Sequence, residues 1–140
     1  VLFRSSPNHL LVNDNDSATT AQITQAIIAT GSRPTQLPGL PNDDRIIDST
    51  GALALVDIPE RLLVIGGGII GLEMATVYAA LGTDVTVVEM LDQLMTGADP
   101  DLVSPLQRCL HTQASDIDLS TRAPSIDDTD DALLVSFDGA

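Results

Sequence analysis

Six residues near the middle of the chain have the types and spacing of a phosphate-binding turn. They satisfy the pattern G-x-G-x-x-G and are Gly66, Gly67, Gly68, Ile69, Ile70 and Gly71. Such glycines permit a tight turn, a close approach of the backbone to a pyrophosphate, and close packing of a helix on a strand. An acid, Glu89, follows at the spacing at which a carboxylate accepts hydrogen bonds from adenosine ribose hydroxyls and repels a 2′-phosphate. The pattern predicts binding of NAD rather than NADP.

A strand, a helix and a second strand are needed to position these residues. Residues 62–65 form an apolar run typical of a strand buried on both faces, and helix-forming residues continue to Leu81. Gly82 then ends the helix, and residues 85–88 form a second apolar run. Free N–H groups at the start of the helix, with the positive end of its dipole, would hold the phosphates. The sequence predicts a Rossmann-like βαβ unit of the α/β class; a glycine-rich turn without a ligand is the alternative.

Composition excludes several classes of function. The 140 residues carry a formal net charge of −14 and contain 6 Lys and Arg, which argues against nucleic-acid binding. No apolar run has the length of a membrane span, and no signal peptide is recognisable, so we expect a cytoplasmic protein that does not bind membranes. Cys109 is the single cysteine, which excludes an internal disulfide, and no metal site is predicted.

The sequence predicts three regions along the chain. In residues 1–33 we expect a small antiparallel meander with strands at 1–3 and 10–12 and a polar, turn-like stretch at 13–20. Residues 26–29 are expected to form a buried strand, which stops at Thr30. Prolines and glycines indicate a linker over residues 34–59, with a short helix capped near Asp48.

The third region, residues 60–140, contains the βαβ unit, a further helix and further strands. After a loop over residues 90–98, Asp99 is expected to cap a helix that Pro105 bends or delays. Residues 117–120 alternate like a half-buried strand, and residues 132–137 form a returning strand.

Four stretches together resemble one family of flavoenzymes. They are AIIATGSRP at 26–34, DST at 48–50, PERLLVIGGGIIGLEMATVYAALGTDVTVVE at 59–89 and ADPDLV at 98–103. The chain resembles the dihydrolipoamide dehydrogenases, which belong to the pyridine nucleotide–disulfide oxidoreductases. The resemblance implies a fragment, with the end of an FAD domain before an incomplete NAD domain. For the full-length protein it implies FAD and NAD as cofactors, a homodimer, and the lipoyl domain of a 2-oxo acid dehydrogenase complex as partner.

The resemblance also implies roles for individual residues. The six-residue glycine turn matches the NAD pyrophosphate loop, and Glu89 matches the acid that binds the ribose. Glu73 matches a glutamate that reaches between nicotinamide and flavin, although an acid in the first turn of a helix is also favourable through the dipole alone. Arg122 falls where the family has a small apolar residue whose backbone touches adenine. Three residues match a turn near the flavin: Thr30, Gly31 and Ser32.

The disulfide chemistry of that family has no counterpart in these residues. The family uses a C-x-x-x-x-C pair and a His–Glu pair, whereas this chain has Cys109 alone and a His111 in the wrong part of the expected fold. We therefore predict no catalytic residue here and an inactive fragment. Two alternatives remain: a related flavoprotein such as a mercuric reductase, NADH oxidase or transhydrogenase, or a nucleotide-binding module without catalysis.

Overall fold

Three antiparallel strands occupy the beginning of the chain in the computed structural model, which describes residues 2–14 and 17–139. The strands are β1 (Leu2–Ser6), β2 (His9–Asp14) and β3 (Ser17–Gln22), with β2 in the centre. The predicted meander is confirmed, although residue 1 lies outside the described residues. The turn-like interpretation of residues 13–20 was wrong for the six of them that the structure describes, because Asn13 and Asp14 end β2 and Ser17 to Thr20 pair with that strand in β3. These strands belong to the first of two compact units, Val1–Arg33 and Pro34–Ala140.

Residues 26–29 do not form the buried strand that their apolar composition predicted. They have no regular secondary structure, and Ile27 and Ile28 are 95% and 87% exposed. A strand needs a neighbour to receive its backbone hydrogen bonds. None of the strands that the structure describes in residues 2–14 and 17–139 pairs with this run.

The second unit contains a parallel sheet with the order β4-β5-β6. Its elements are β4 (Arg61–Ile65), helix α2 (Ile69–Ala80), β5 (Asp84–Val88) and β6 (Asp116–Asp118). Arg61 pairs with Asp84, and Ile65 pairs with Val88, which aligns the carboxyl ends of the two strands. The predicted βαβ unit is confirmed, and both strands begin one residue earlier than predicted.

The core of this unit lies between α2 and the parallel sheet. Aliphatic side chains supply most of it, as the low aromatic content requires. Its most deeply buried members are Tyr78, Val85, Val87, Val88 and Leu94, each less than 2% exposed. Helix α1 (Ser49–Ala54) belongs to the predicted linker, and its backbone at Ala52 accepts a hydrogen bond of 3.0 Å from the buried Tyr78 hydroxyl. Part of the predicted linker therefore packs onto the βαβ unit.

The remaining elements are a helix and a hairpin. Helix α3 spans Pro100–Leu110, and the Asp99 side chain caps it by accepting from the Asp101 N–H, as predicted. Pro105 lies inside this helix and does not delay its start. The strands β7 (Thr121–Asp128) and β8 (Leu133–Gly139) pair antiparallel, which confirms the returning strand. Within the described ranges, no helix is both long enough and apolar enough to cross a membrane.

Candidate nucleotide-binding site

The glycine turn joins the carboxyl end of β4 to the start of α2. Gly66 has a φ of 116°, a conformation that residues with a Cβ rarely adopt. Its N–H donates to the Val88 carbonyl at 2.8 Å, which extends the pairing of β4 with β5 by one step. The chain can turn sharply out of the sheet at this position because Gly66 has no side chain.

The last glycine of the pattern is required by packing within the protein. A Cβ built on Gly71 would collide with the carbonyl oxygen of Gly66 and would lie 3.2 Å from Cγ1 of Val64. Helix α2 can therefore rest directly on the turn and on β4 only with glycine here. Ala75, one turn further along the same face, is 2% exposed.

Gly68 differs from Gly71 because no atom of the residues that the structure describes requires its small size. A Cβ built there would meet nothing within 4 Å, and Gly68 is exposed. It is the N-cap residue of α2, and no side chain in the described part of the chain caps that helix end. By contrast, Asp48 caps α1 and Asp99 caps α3. The first turn of α2 thus offers N–H groups and open space to an anionic ligand.

The carboxylate of Glu89 faces this turn from the end of the neighbouring strand. One oxygen, Oε2, accepts from the Gly67 N–H at 2.7 Å, and the other, Oε1, accepts from the Leu91 N–H at 2.9 Å. The side chain is half-buried. Each carboxylate oxygen can accept a further hydrogen bond, so both remain available to a ligand's hydroxyl groups.

The loop after β5 also contacts the glycine turn, which the sequence did not predict. The Met95 N–H donates to the Gly67 carbonyl at 2.8 Å, and the Leu94 side chain is completely buried. The G-x-G-x-x-G spacing carries no information about this loop. The loop contains two apolar pairs, Met90–Leu91 and Leu94–Met95, and the sequence alone does not show which of them is buried.

The other predicted residues lie in varied surroundings. Ile69 and Ile70 are exposed in the first turn of α2. Glu73 is exposed and lies in the second turn, not the first, because α2 begins directly after Gly68. The dipole of α2 alone therefore stabilises Glu73 less than the sequence suggested, since that effect fades within the first turn. Arg122 is exposed on β7, opposite Asp138.

The predicted flavin-side turn belongs to the first compact unit, whereas the glycine turn belongs to the second. Its residues are exposed and lie outside the helices and strands, and Gly31 has a φ of 82°. A positive φ favours glycine at this position. A contact of Thr30, Gly31 and Ser32 with FAD stays a prediction.

Comparisons with known proteins give a consistent result. The family model described as pyridine nucleotide-disulphide oxidoreductase matches residues 5–139. A dihydrolipoyl dehydrogenase of Haemophilus influenzae is 47% identical over 132 residues, which cover 93% of this chain and 27% of that protein. The crystal structure of LpdA from Mycobacterium tuberculosis is 28% identical with a TM-score of 0.75, and the match covers 99% of this chain and 32% of that one.

A water-forming NADH oxidase from Lactobacillus brevis, whose structure has NADH bound, also has this fold. It is 25% identical with a TM-score of 0.68, and the match covers 99% of this chain and 33% of that one. The chain spans between a quarter and a third of the length of the relatives it matches. The family model, in contrast, covers nearly all of the chain. The chain therefore belongs to the pyridine nucleotide-disulphide oxidoreductase family.

Proposed function

We propose that this chain is the NAD-binding part of a cytoplasmic, FAD-dependent dihydrolipoyl dehydrogenase. The observation that carries the proposal is the uncapped start of α2 at Gly68, with open space around it and the Glu89 carboxylate facing the same turn. The 47% identity to the Haemophilus influenzae dihydrolipoyl dehydrogenase supports the choice of enzyme within the family.

The residues of the turn fit an adenine dinucleotide. The backbone N–H groups at the start of α2 bind the pyrophosphate, and Gly68 lets it approach because no Cβ occupies that space. The Glu89 carboxylate accepts hydrogen bonds from the adenosine ribose while it holds the Gly67 N–H. When bound, NAD supplies the nicotinamide ring that accepts a hydride. This chain orients that ring and excludes a 2′-phosphate by the charge on Glu89.

The remaining roles concern the flavin and the whole enzyme. Glu73, exposed on α2, reaches towards the nicotinamide, Arg122 offers its backbone to adenine, and the turn at Thr30, Gly31 and Ser32 contacts FAD. The enzyme oxidises dihydrolipoamide on the lipoyl domain of a 2-oxo acid dehydrogenase complex and acts as a homodimer. Its redox-active cysteine pair lies outside this chain, since Cys109 is the only cysteine here.

Substitution of Gly68 by valine tests the proposal most directly. In the complete gene product, Gly68→Val should weaken NADH binding about a hundredfold, because the side chain occupies the space of the pyrophosphate. Ala80→Val is the matched control, since it adds the same residue at an exposed position of the same helix. NADH affinity is measured by fluorescence titration, and folding by circular dichroism. Equal NADH affinity in both folded variants would refute the site.

Reversal of the charge at Glu89 tests cofactor choice. Glu89→Arg should weaken NADH binding and improve the relative affinity for NADPH, because arginine attracts the 2′-phosphate that glutamate repels. Glu89→Gln serves as the control, since it removes the charge and keeps an oxygen for the Gly67 N–H. An unchanged ratio of NADH to NADPH affinity in Glu89→Arg contradicts the role given to Glu89.

A second function has a specific observation in its favour, the similarity to the water-forming NADH oxidase of Lactobacillus brevis. The two functions share the nucleotide site and differ in the second substrate. Assays of the complete gene product separate them. Reduction of NAD by dihydrolipoamide supports the dehydrogenase, whereas consumption of oxygen by NADH without dihydrolipoamide supports the oxidase.

A further inference from the structure

Three contacts converge on Gly67, the second residue of the glycine turn. The Gly67 N–H donates to Oε2 of Glu89 at 2.7 Å, and the Gly67 carbonyl accepts from the Met95 N–H at 2.8 Å. The Leu94 side chain covers the same residue: a Cβ built on Gly67 would lie only 2.5 Å from Cδ2 of Leu94. Gly67 is buried, and Leu94 has 0% of its surface exposed.

These contacts matter because the turn contains three consecutive glycines. Glycine loses more conformational freedom on folding than any other residue, so a run of Gly66, Gly67 and Gly68 does not hold one conformation without support. A binding turn must nevertheless hold its N–H groups in a fixed position, since ordering them on binding weakens affinity. The support has to come from outside the turn.

The loop that supplies the support is itself held in an uncommon conformation. Met95 has a φ of 52°, which is unusual for a residue with a Cβ, and its N–H is the group that reaches Gly67. Strained residues persist where the surrounding structure fixes them, and they are frequent at ligand-binding loops. Leu94 directly precedes Met95, and its side chain, which is buried in the core, holds this conformation in place.

We propose that Leu94 is a positioning residue for the dinucleotide. Its side chain packs on Gly67 and positions the Met95 N–H to donate to the Gly67 carbonyl. These two contacts fix the conformation of the turn, and the turn presents the start of α2 to the pyrophosphate. This inference rests on the proposed NAD site. It assigns cofactor binding in part to the loop after β5, which does not belong to the G-x-G-x-x-G pattern.

A double-mutant cycle between Leu94 and Gly67 tests the inference in the complete gene product. Gly67→Ala places a methyl group against Leu94, and Leu94→Ala removes the atom that it meets. Gly67 does not have a positive φ, so alanine is not excluded there by backbone conformation. Leu110→Ala is the matched control, because Leu110 is a leucine of the same core, 4% exposed, at the end of α3. NADH affinity and the melting temperature are measured for each variant.

We expect both truncations of leucine to lower the melting temperature, but only Leu94→Ala to weaken NADH binding, about fivefold, the effect of one loosened hydrogen bond. Gly67→Ala should weaken NADH binding more than Leu94→Ala does, because the new methyl group is too close to Cδ2 of Leu94. The double variant should bind NADH better than Gly67→Ala alone, although Cβ of Glu89 at 3.1 Å from the new methyl group keeps the rescue partial. Should Leu94→Ala fail to fold, Leu94→Val and Leu110→Val give the same comparison.

The possible outcomes separate this inference from the proposed function. Equal NADH affinity in Leu94→Ala and Leu110→Ala, or strictly additive effects of the two substitutions in the cycle, overturns the positioning role and leaves the NAD site intact. Absence of NADH binding by the folded wild-type protein overturns the proposed function, and this inference with it.

Discussion

Two apolar stretches of similar composition have opposite outcomes in this molecule. Strand β5 pairs with β4 on one side and β6 on the other, and its Val85, Val87 and Val88 are at most 1% exposed. The run at residues 26–29 pairs with no described strand, and its two isoleucines are almost fully exposed. Hydrophobic composition therefore specifies a strand only where the same chain supplies neighbours for its backbone and a helix to cover its face.

The largest expected contrast is between truncation of an apolar side chain in the core that covers β5 and truncation of one in residues 26–29. Leu72→Ala, in α2, removes a side chain that is 5% exposed in the core and should lower the free energy of unfolding by about 3 kcal/mol. Ile28→Ala should change it by less than about 0.5 kcal/mol, because Ile28 is already in water. Urea denaturation followed by circular dichroism measures both. A loss of similar size for Ile28→Ala would show that residues 26–29 are buried in solution.

The same contrast explains which elements could be predicted from the sequence. Apolar runs, the glycine pattern and the Asp99 cap predicted β4, α2, β5 and α3, because each of these signals acts locally. Strand β3 could not be predicted, since Ser17–Gln22 is polar and becomes a strand only through its pairing with β2. The continuation of α3 through Pro105 is a further case in which context overrides local preference.

The next largest effect is expected at Gly71, where helix α2 packs on the glycine turn. Gly71→Ala should lower the free energy of unfolding by about 2 kcal/mol, because the added methyl group meets the Gly66 carbonyl and the Val64 side chain. Ala75→Gly is a useful control, since it changes the next turn of the same face without adding volume. If Gly71→Ala were as stable as the wild type, α2 would not lie in direct contact with the turn and β4.

The geometry of the proposed nucleotide site could be predicted only in part, for a related reason. The positions of Gly66, Gly68 and Gly71 follow from one local pattern, and the structure places them at the junction of β4 and α2. The contacts of Glu89 and Met95 with Gly67 join segments that are 22 and 28 positions apart, so no short pattern contains them. Glu73 was placed in the wrong turn because the sequence does not mark Ile69 as the first helical residue.

A smaller effect is expected from the contact that attaches helix α1, part of the predicted linker, to helix α2. Tyr78→Phe removes the hydroxyl that donates to the Ala52 carbonyl and should lower the free energy of unfolding by about 1 kcal/mol. Hydrogen exchange in α1 should increase by more than exchange in β5. If exchange rose equally in both elements, α1 would unfold only together with the core.

The smallest expected effect is at the surface, between Asp43 and Arg45. The guanidinium of Arg45 donates to both oxygens of Asp43, at 2.9 and 2.7 Å, and lowers the pKa of that carboxyl to about 2. The pKa of Arg45 is raised in turn, chiefly by the same hydrogen bonds. Arg45 also donates to the Thr129 carbonyl at 2.9 Å, beside the β7–β8 turn.

Because its pKa is lower in the folded state, Asp43 contributes stability that is complete above its ordinary pKa of 3.8 and is lost as the pH falls to about 2. Asp43→Asn should therefore be slightly less stable than the wild type at neutral pH, and the difference should vanish over this acidic window. The effect should be smaller than that of any core substitution, since solvent screens surface ion pairs. Paired urea titrations of both proteins from pH 5 down to pH 2 measure it. If the difference in free energy of unfolding between the two proteins stays constant across that range, the charge of the Asp43 carboxylate does not stabilise the fold.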